Sequence, residues 1–317
     1  MKNTFTKMIG VEYPIIMAPM FLVSNTAMII AALENGITAA FPALNYRTDA
    51  EFRAAIAEIR SKTTKPFGVN LIVNKSNFKY PGQLKTCLEL KVAFIITSLG
   101  SPQEVIEKCK GTGIKVFCDV VDLKYAQKVE VLGADAVIAV NSNAGGHAGD
   151  ISPEDFIPLL KKNLKIPVIS AGGVATGKQA RHALELGADA LSIGTIFIAS
   201  TESPVSQDYK NALISYGARD IVRTTKLSGS LCTVINTPYV QSLGTKISLL
   251  ERLMHSNKRL KKYFKLMLAI KGLNLLEKSA FGASYKTVWC AGPSIEYIHS
   301  VRPVKEIIQT MVKEYQQ

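Results

Sequence analysis

Eight short, nearly unbroken apolar runs punctuate the first 200 residues, at 14–18, 37–43, 66–73, 92–98, 114–120, 134–140, 166–172 and 188–194. Parallel strands buried on both faces read this way, without the alternation of a half-exposed sheet. Between the runs lie segments of helical period or strong helix formers, such as "AEFRAAIAEIRSK" and "GKQARHALELG". An internal echo supports the count. "LENGITAAF", "LELKVAFII", "EVLGADAVI" and "LELGADALS" each end a helix and launch the second, fourth, sixth and eighth run, with glycine at the turn in three of the four. Eight strand–helix units that close on themselves make an α/β fold, the (β/α)8 or TIM barrel. An open doubly wound sheet is the alternative, and the lack of a G-x-G-x-x-G turn after the first run argues against it.

The pattern changes near residue 200. The rest of the chain exceeds one closing helix, which divides the molecule into a barrel core over 1–200 and a C-terminal, partly helical cap over 201–317. At its end, "PVKEIIQTMVKEY" predicts a terminal helix that begins at Pro303.

Barrels of this kind work at the C-terminal ends of their strands. That rule singles out 17–20, 70–74, 97–100, 119–122, 141–149, 171–174 and 194–197. "SAGGVATGKQ" and "SIGTIF" place Gly172, Gly173, Gly194 and Thr195 at the ends of runs seven and eight. Bare backbone N–H groups and helix N-termini there favour a phosphate, although tight turns alone would also use these glycines. "IIMAPMF" ends the first run in Ala18, Pro19 and Met20, where proline leaves neighbouring backbone groups free to face a ligand ring. The carboxamide of Asn70, in "PFGVNL", must find partners for both its donor and its acceptor; a cofactor edge or another protein group would serve. His147 stands in "NAGGHAGD" among Gly145, Gly146 and Gly149, which let the backbone pass close to a flat ligand while the imidazole projects toward it. A neutral histidine accepts a proton near pH 7, so His147 is the natural general base of such a site.

Composition narrows the classes. Apolar residues at 47% and charged residues at 20% describe a globular chain with a large core. Five cysteines, none in a C-x-x-C pair, argue against a zinc site or disulfide framework and fit a reducing, cytoplasmic setting. The apolar run near the start is broken by Pro14 and Pro19 and is too short to span a bilayer, so it reads as a strand rather than a signal peptide. A formal charge of +13 invites a nucleic-acid reading. Its distribution speaks otherwise: residues 245–286 hold ten Lys or Arg against two Glu, a net of +8, in a basic amphipathic stretch. That stretch suits a solvated helix over the barrel mouth, or contact with an acidic carrier protein or another anionic surface. No basic–aromatic interleaving accompanies it, and no nucleic acid is expected.

Taken in order, "PIIMAPM", "PFGVNL", "NAGGHAG", "PVISAGGVATG", "LELGADALSIGTIFIASTES" and "VWCAGP" resemble the nitronate monooxygenase family, formerly the 2-nitropropane dioxygenases. The flavin-dependent enoyl-ACP reductases share much of this pattern. The similarity covers about residues 12–203 and a patch at 288–293. It implies a TIM barrel holding non-covalent FMN, with His147 matching the family's catalytic histidine. By the same resemblance Asn70, Gly145, Gly173, Ser192, Ile193, Gly194 and Thr195 match FMN-contacting positions, with Gly172 beside them. The implied activity is oxidation of a small-molecule nitronate or nitroalkane with O2, His147 acting as general base. NAD(P)H-dependent reduction of an enoyl thioester through FMN is the alternative, and a flavin-binding protein without turnover is a further one. The chain departs from the family pattern at Val140, Asn141, Asn143, Ala148, Ile196 and Pro293.

Overall fold

The computed structural model of the chain describes residues 3–74, 77–225, 231–245 and 288–317. Apart from Thr245, the basic stretch at 245–286 lies outside the described residues.

All eight apolar runs form strands. β1 (Ile15–Met17), β2 (Thr38–Pro42), β3 (Gly68–Ile72), β4 (Phe94–Ser98), β5 (Lys115–Val120) and β6 (Ala136–Val140) come first. After a two-residue strand, β7 (Gly146–His147), the ring is completed by β8 (Val168–Ala171) and β9 (Ala190–Ile193). The order β1-β2-β3-β4-β5-β6-β8-β9 closes on itself, β9 returning to β1 with Ser192 opposite Ile16. The chain folds as the expected TIM barrel.

Helix α1 (Thr4–Ile9) precedes the barrel. Between strands the chain returns through α2 (Thr26–Glu34), α3 (Asp49–Lys62), α4 (Tyr80–Glu89), α5 (Gln103–Cys109), α6 (Leu123–Leu132), α7 (Pro153–Asn163) and α8 (Gly177–Glu185). Thr48, Asp122, Ser152 and Thr176 each cap a helix start with a side-chain oxygen on an otherwise orphaned N–H. At the four echoed helix exits, Gly36, Gly133 and Gly187 have φ of +83°, +98° and +109°, and Lys91 adopts +47°. The turn imposes a left-handed residue even where the sequence offers no glycine.

Parity along the strands sorts the barrel into two faces. Ile16, Ala40, Phe94, Ile96, Phe117, Ile138, Ile169 and Ala190 share one interior cluster with Phe5 and Ile9 of α1. Their neighbours, such as Met17, Val69, Ile95 and Val116, pack outward in the layer against the helices. The rings of Phe94 and Phe117 stack with centroids 4.9 Å apart. Gly68 makes room for them, since a Cβ there would lie 2.2 Å from the Phe94 ring. Asn3, the cap of α1, donates to the Asp189 carbonyl at 2.5 Å, which ties this plug to the entry of β9.

Past the barrel come α9 (Thr195–Ile198), α10 (Gln207–Ser215), β10 (Ile221–Thr224), β11 (Cys232–Ile235), α11 (Pro238–Leu243) and α12 (Val304–Gln316). The last begins directly after Pro303, as the sequence predicts. Besides helices, the partly helical cap contributes two strands to a three-stranded antiparallel sheet, β10-β11-β7, that the sequence did not predict. Two four-residue β-branched runs carry too little periodicity to be read as strands. Through this sheet the region after residue 200 reaches back to the His147 loop. No described helix is long and apolar enough to cross a membrane.

Candidate active site

Two residues beyond the apolar plug, inward positions of the barrel turn polar: Gly68 leads to Asn70, Ile96 to Ser98, Phe117 to Asp119 and Ala190 to Ser192. Asn70 Nδ2 donates to the Ile96 carbonyl at 3.3 Å and to Ser98 Oγ at 2.7 Å. Ser98 Oγ in turn donates to Asp119 Oδ2. One polar chain thus crosses β3, β4 and β5 at the barrel mouth. Burial pushes the Asp119 carboxyl up to about 6, opposed by the hydrogen bond from Ser98. The Asn70 donor takes protein partners, while its Oδ1 accepts no hydrogen bond from a described residue.

On the opposite arc, β8 and β9 end in bare backbone. Gly172 and Gly173 have φ of +120° and +85°. The N–H groups of Gly172, Gly173 and Gly194 donate to no described residue, and the Thr195 N–H opens α9. Ser192 and Thr195 are buried beside them. Ile193 turns its side chain into the layer under the helices, and its carbonyl accepts from Ala18 N at 2.8 Å. A Cβ on Gly194 would meet Met20 Sδ at 3.4 Å and Ala18 Cβ at 3.6 Å, so the ends of β9 and β1 adjoin. The turn at Ala18, Pro19 and Met20 departs from expectation. Ser24 Oγ accepts from Met20 N at 2.9 Å and donates to the Ala18 carbonyl at 3.2 Å. Backbone groups at a half-buried strand end need partners, and here the protein supplies them.

The His147 loop is held from three sides. Gly146 and His147 pair with Thr233 and Cys232 of β11. Thr233 Oγ1 donates to the Gly146 carbonyl at 3.1 Å and also to that of Ala144. Arg223 of β10 reaches Asp150 Oδ1 at 3.0 Å and the carbonyls of Ser142 and Gly149 at 3.1 and 3.0 Å. Asn141, fully buried, donates to the Gly172 carbonyl at 3.2 Å and accepts from Asn143 N at 2.9 Å.

The loop glycines serve a purpose the sequence pattern did not reveal. A Cβ on Gly145 would lie 2.7 Å from Gly292 N, and one on Gly149 would lie 2.4 Å from the Val140 carbonyl. Both close approaches are to protein backbone, whereas a Cβ on Gly146 would meet nothing within 4 Å. Gly292 N also donates to Thr195 Oγ1 at 3.0 Å, joining the late "WCAGP" segment to the end of β9. The His147 side chain stays exposed, yet the surrounding protein displaces enough water to lower its pKa and keep the imidazole neutral at pH 7.

The structure therefore gathers His147, Gly145, Gly172, Gly173, Gly194, Thr195, Ala18 and Met20 into one continuous arc, with Asn70 across the mouth. Ser98, Asp119 and Asn141 fell within strand-end stretches that the sequence singled out, but received no role there. For Ser98 and Asp119 the signal was the two-residue step from Ile96 and Phe117; Asn141, three residues past Ile138, had no such parity to mark it. Arg223 and Thr233 carried no sequence signal, because their roles come from long-range pairing.

The family model described as nitronate monooxygenase matches residues 2–314. The chain belongs to the nitronate monooxygenase family. With that membership it joins the flavin-dependent oxidoreductases. A nitronate monooxygenase of Paraburkholderia phytofirmans is 30% identical over 276 residues, covering 73% of this chain and 75% of the relative. A (3aS,4S,5R,7aS)-5-hydroxy-7a-methyl-1-oxo-octahydro-1H-indene-4-carboxyl-CoA dehydrogenase of Rhodococcus jostii is 30% identical over 243 residues, covering 77% of this chain and 68% of the relative. Among solved structures, FabK from Thermotoga maritima superposes with a TM-score of 0.86 at 30% identity, over 100% of this chain and 96% of that one. This member of the nitronate monooxygenase family thus has a fold like that of FabK.

Proposed function

We propose that the chain binds FMN at the barrel mouth and oxidises nitronates or nitroalkanes with O2, with His147 as proton acceptor. The observation that carries this reading is the set of backbone N–H groups of Gly172, Gly173 and Gly194, which donate to no described residue, at two adjacent strand ends next to an anchored and exposed His147. The donor set fits a phosphate: N–H groups on glycine backbone, Gly172 and Gly173 at positive φ, with no side chain to obstruct approach. Gly172, Gly173, Gly194 and Thr195 would hold the phosphate; Asn70, Ala18, Pro19, Met20, Ser192, Ile193 and Gly145 would border the rest. When bound, FMN supplies the electron acceptor that passes electrons from substrate to O2.

His147 then does the proton chemistry. A neutral nitroalkane must lose its α-proton, and an imidazole kept neutral by its surroundings can accept it. A preformed nitronate has no such proton to lose, and His147 would hold that anion by hydrogen bonding instead. Arg223, Thr233 and Asn141 keep the loop fixed so that the imidazole is presented in one place.

A second reading, reduction of an enoyl thioester by NAD(P)H, draws support from the relative whose name specifies a CoA thioester. One anaerobic experiment separates the two. Purified protein is mixed with a nitronate, NADH or NADPH, and flavin bleaching is recorded. Bleaching by the nitronate supports the oxidase reading. Bleaching by a nicotinamide alone, with NADH consumed when a crotonyl thioester is added, supports the reductase. Colourless protein that does not take up added FMN overturns both.

A further inference from the structure

The Asn70 amide is held in one orientation, and the residues that hold it have no part in the activity proposed above. Nδ2 faces the Ile96 carbonyl and Ser98 Oγ. A backbone carbonyl can only accept, so the amide group facing it must be the NH2. Ser98 has a single O–H and spends it on Asp119 Oδ2, leaving its lone pairs for Asn70. The chain of donors therefore runs one way, from amide to hydroxyl to carboxyl. Both Nδ2 hydrogens are used, and the Asn70 atom left for a ligand is Oδ1, an acceptor.

We infer that Asp119 and Ser98 are positioning residues that fix the polarity of Asn70, so that the site demands an N–H group from the ligand edge placed against it. Asp119 keeps Ser98 turned away, and Ser98 keeps the amide from flipping. Resting on the FMN reading, the inference has a chemical consequence. The oxidised isoalloxazine ring has a single ring N–H, at N3, flanked by carbonyl oxygens, and its other ring heteroatoms only accept. The Asn70 acceptor thus selects the N3–H edge and disfavours any ring presenting a carbonyl or an alkylated nitrogen there. A buried acceptor left without its donor loses a hydrogen bond and gains none from water.

The test compares binding of FMN and N3-methyl FMN to the parent protein, Asn70→Ala, Ser98→Ala, Ser98→Thr, Asp119→Leu and Asp119→Asn. The parent should prefer FMN by about 10–100-fold, the range of one lost hydrogen bond with its desolvation. Asn70→Ala should abolish that preference, and Ser98→Ala and Asp119→Leu should reduce it to a few-fold by letting the amide turn. Ser98→Thr keeps the hydroxyl and Asp119→Asn keeps an acceptor, so both should retain the preference. A role limited to folding would not track the N3 substituent in this way. Equal preference in the parent, Ser98→Ala and Asp119→Leu overturns the inference.

A second readout needs no flavin. In the cofactor-free protein the Asn70 side-chain NH2 should be protected from hydrogen exchange in the parent and in Ser98→Thr. It should be exposed in Ser98→Ala. If the parent binds no FMN while this protection holds, the flavin reading fails and the fixed amide stands. If protection is the same with and without the hydroxyl, the relay fails.

Discussion

The barrel interior has two layers built from the same strands and two residues apart. The lower layer is apolar: Phe94, Ile96, Phe117, Ile138 and Ile169 fill it, with Phe5 and Ile9 beneath. The upper layer puts Asn70, Ser98, Asp119 and Ser192 on the next inward positions and leaves the backbone N–H groups of Gly172, Gly173 and Gly194 without an acceptor among the described residues. A sheet forces this proximity, because inward positions recur every second residue, about 7 Å along a strand. Stability and chemistry are therefore separated by a single pleat, and each layer should be breakable without the other.

The largest effect is expected above the pleat. His147→Ala should lower turnover of neutral nitroalkanes by about 10²–10⁴-fold, the range for loss of a general base, while FMN stays bound. Oxidation of preformed nitronates should fall less, since no proton has to be removed. Equal losses on both forms in steady-state assays would make His147 a binding group. The converse cut lies below. Phe117→Ala removes a fully buried ring stacked on Phe94 and should cost about 3–5 kcal/mol in urea unfolding. Its folded fraction should still hold FMN, and loss of FMN at full folding would show that the layers are not separable.

Gly173→Asp sharpens the contrast within the upper layer. The position has φ +85° and a Cβ there would stand 3.1 Å from Asn143 Cβ, so the residue is strained and its carboxylate lies at the proposed phosphate site. FMN retention through gel filtration should be lost, with affinity down by about 10-fold or more. A folded variant that holds FMN as tightly as the parent would place the phosphate elsewhere.

The lower layer was legible in the sequence because burial on both faces writes continuous apolar runs, and all eight became strands. The strand ends were legible as places, since glycines interrupt those runs at Gly172 and Gly194. Their partners were not. That Gly145 serves close packing against Gly292 depends on two segments nearly 150 residues apart, and the clamp of Arg223 on the His147 loop depends on a small sheet with no periodic signature. Asp119 lay in the open: its parity with Phe117 put it inside the barrel, but a carboxyl inside a barrel has meaning only once Ser98 and Asn70 are known to adjoin it.

Asp119 also supplies the smallest effect, and one in which the two layers meet. Its carboxyl is raised from 3.8 to about 6 because burial disfavours the charged form. The folded state therefore binds more protons than the unfolded state between about pH 4 and pH 6, and stability falls as pH rises through that window. Above it both states are ionised and the deficit is constant; below it both are protonated and the deficit vanishes. Asp119 is half-buried, so screening by solvent reduces the effect to about 1 kcal/mol. Asp119→Asn keeps an acceptor for Ser98 and removes the charge. Cofactor-free Asp119→Asn should thus exceed the parent in stability by about 1 kcal/mol at pH 7 and match it near pH 4, as read by urea unfolding at both pH values. Comparing the two proteins at each pH cancels the titration of every other group. A difference that is constant with pH, or that grows as pH falls, would mean that the carboxyl is better solvated than its burial implies and that the upper layer costs the barrel nothing.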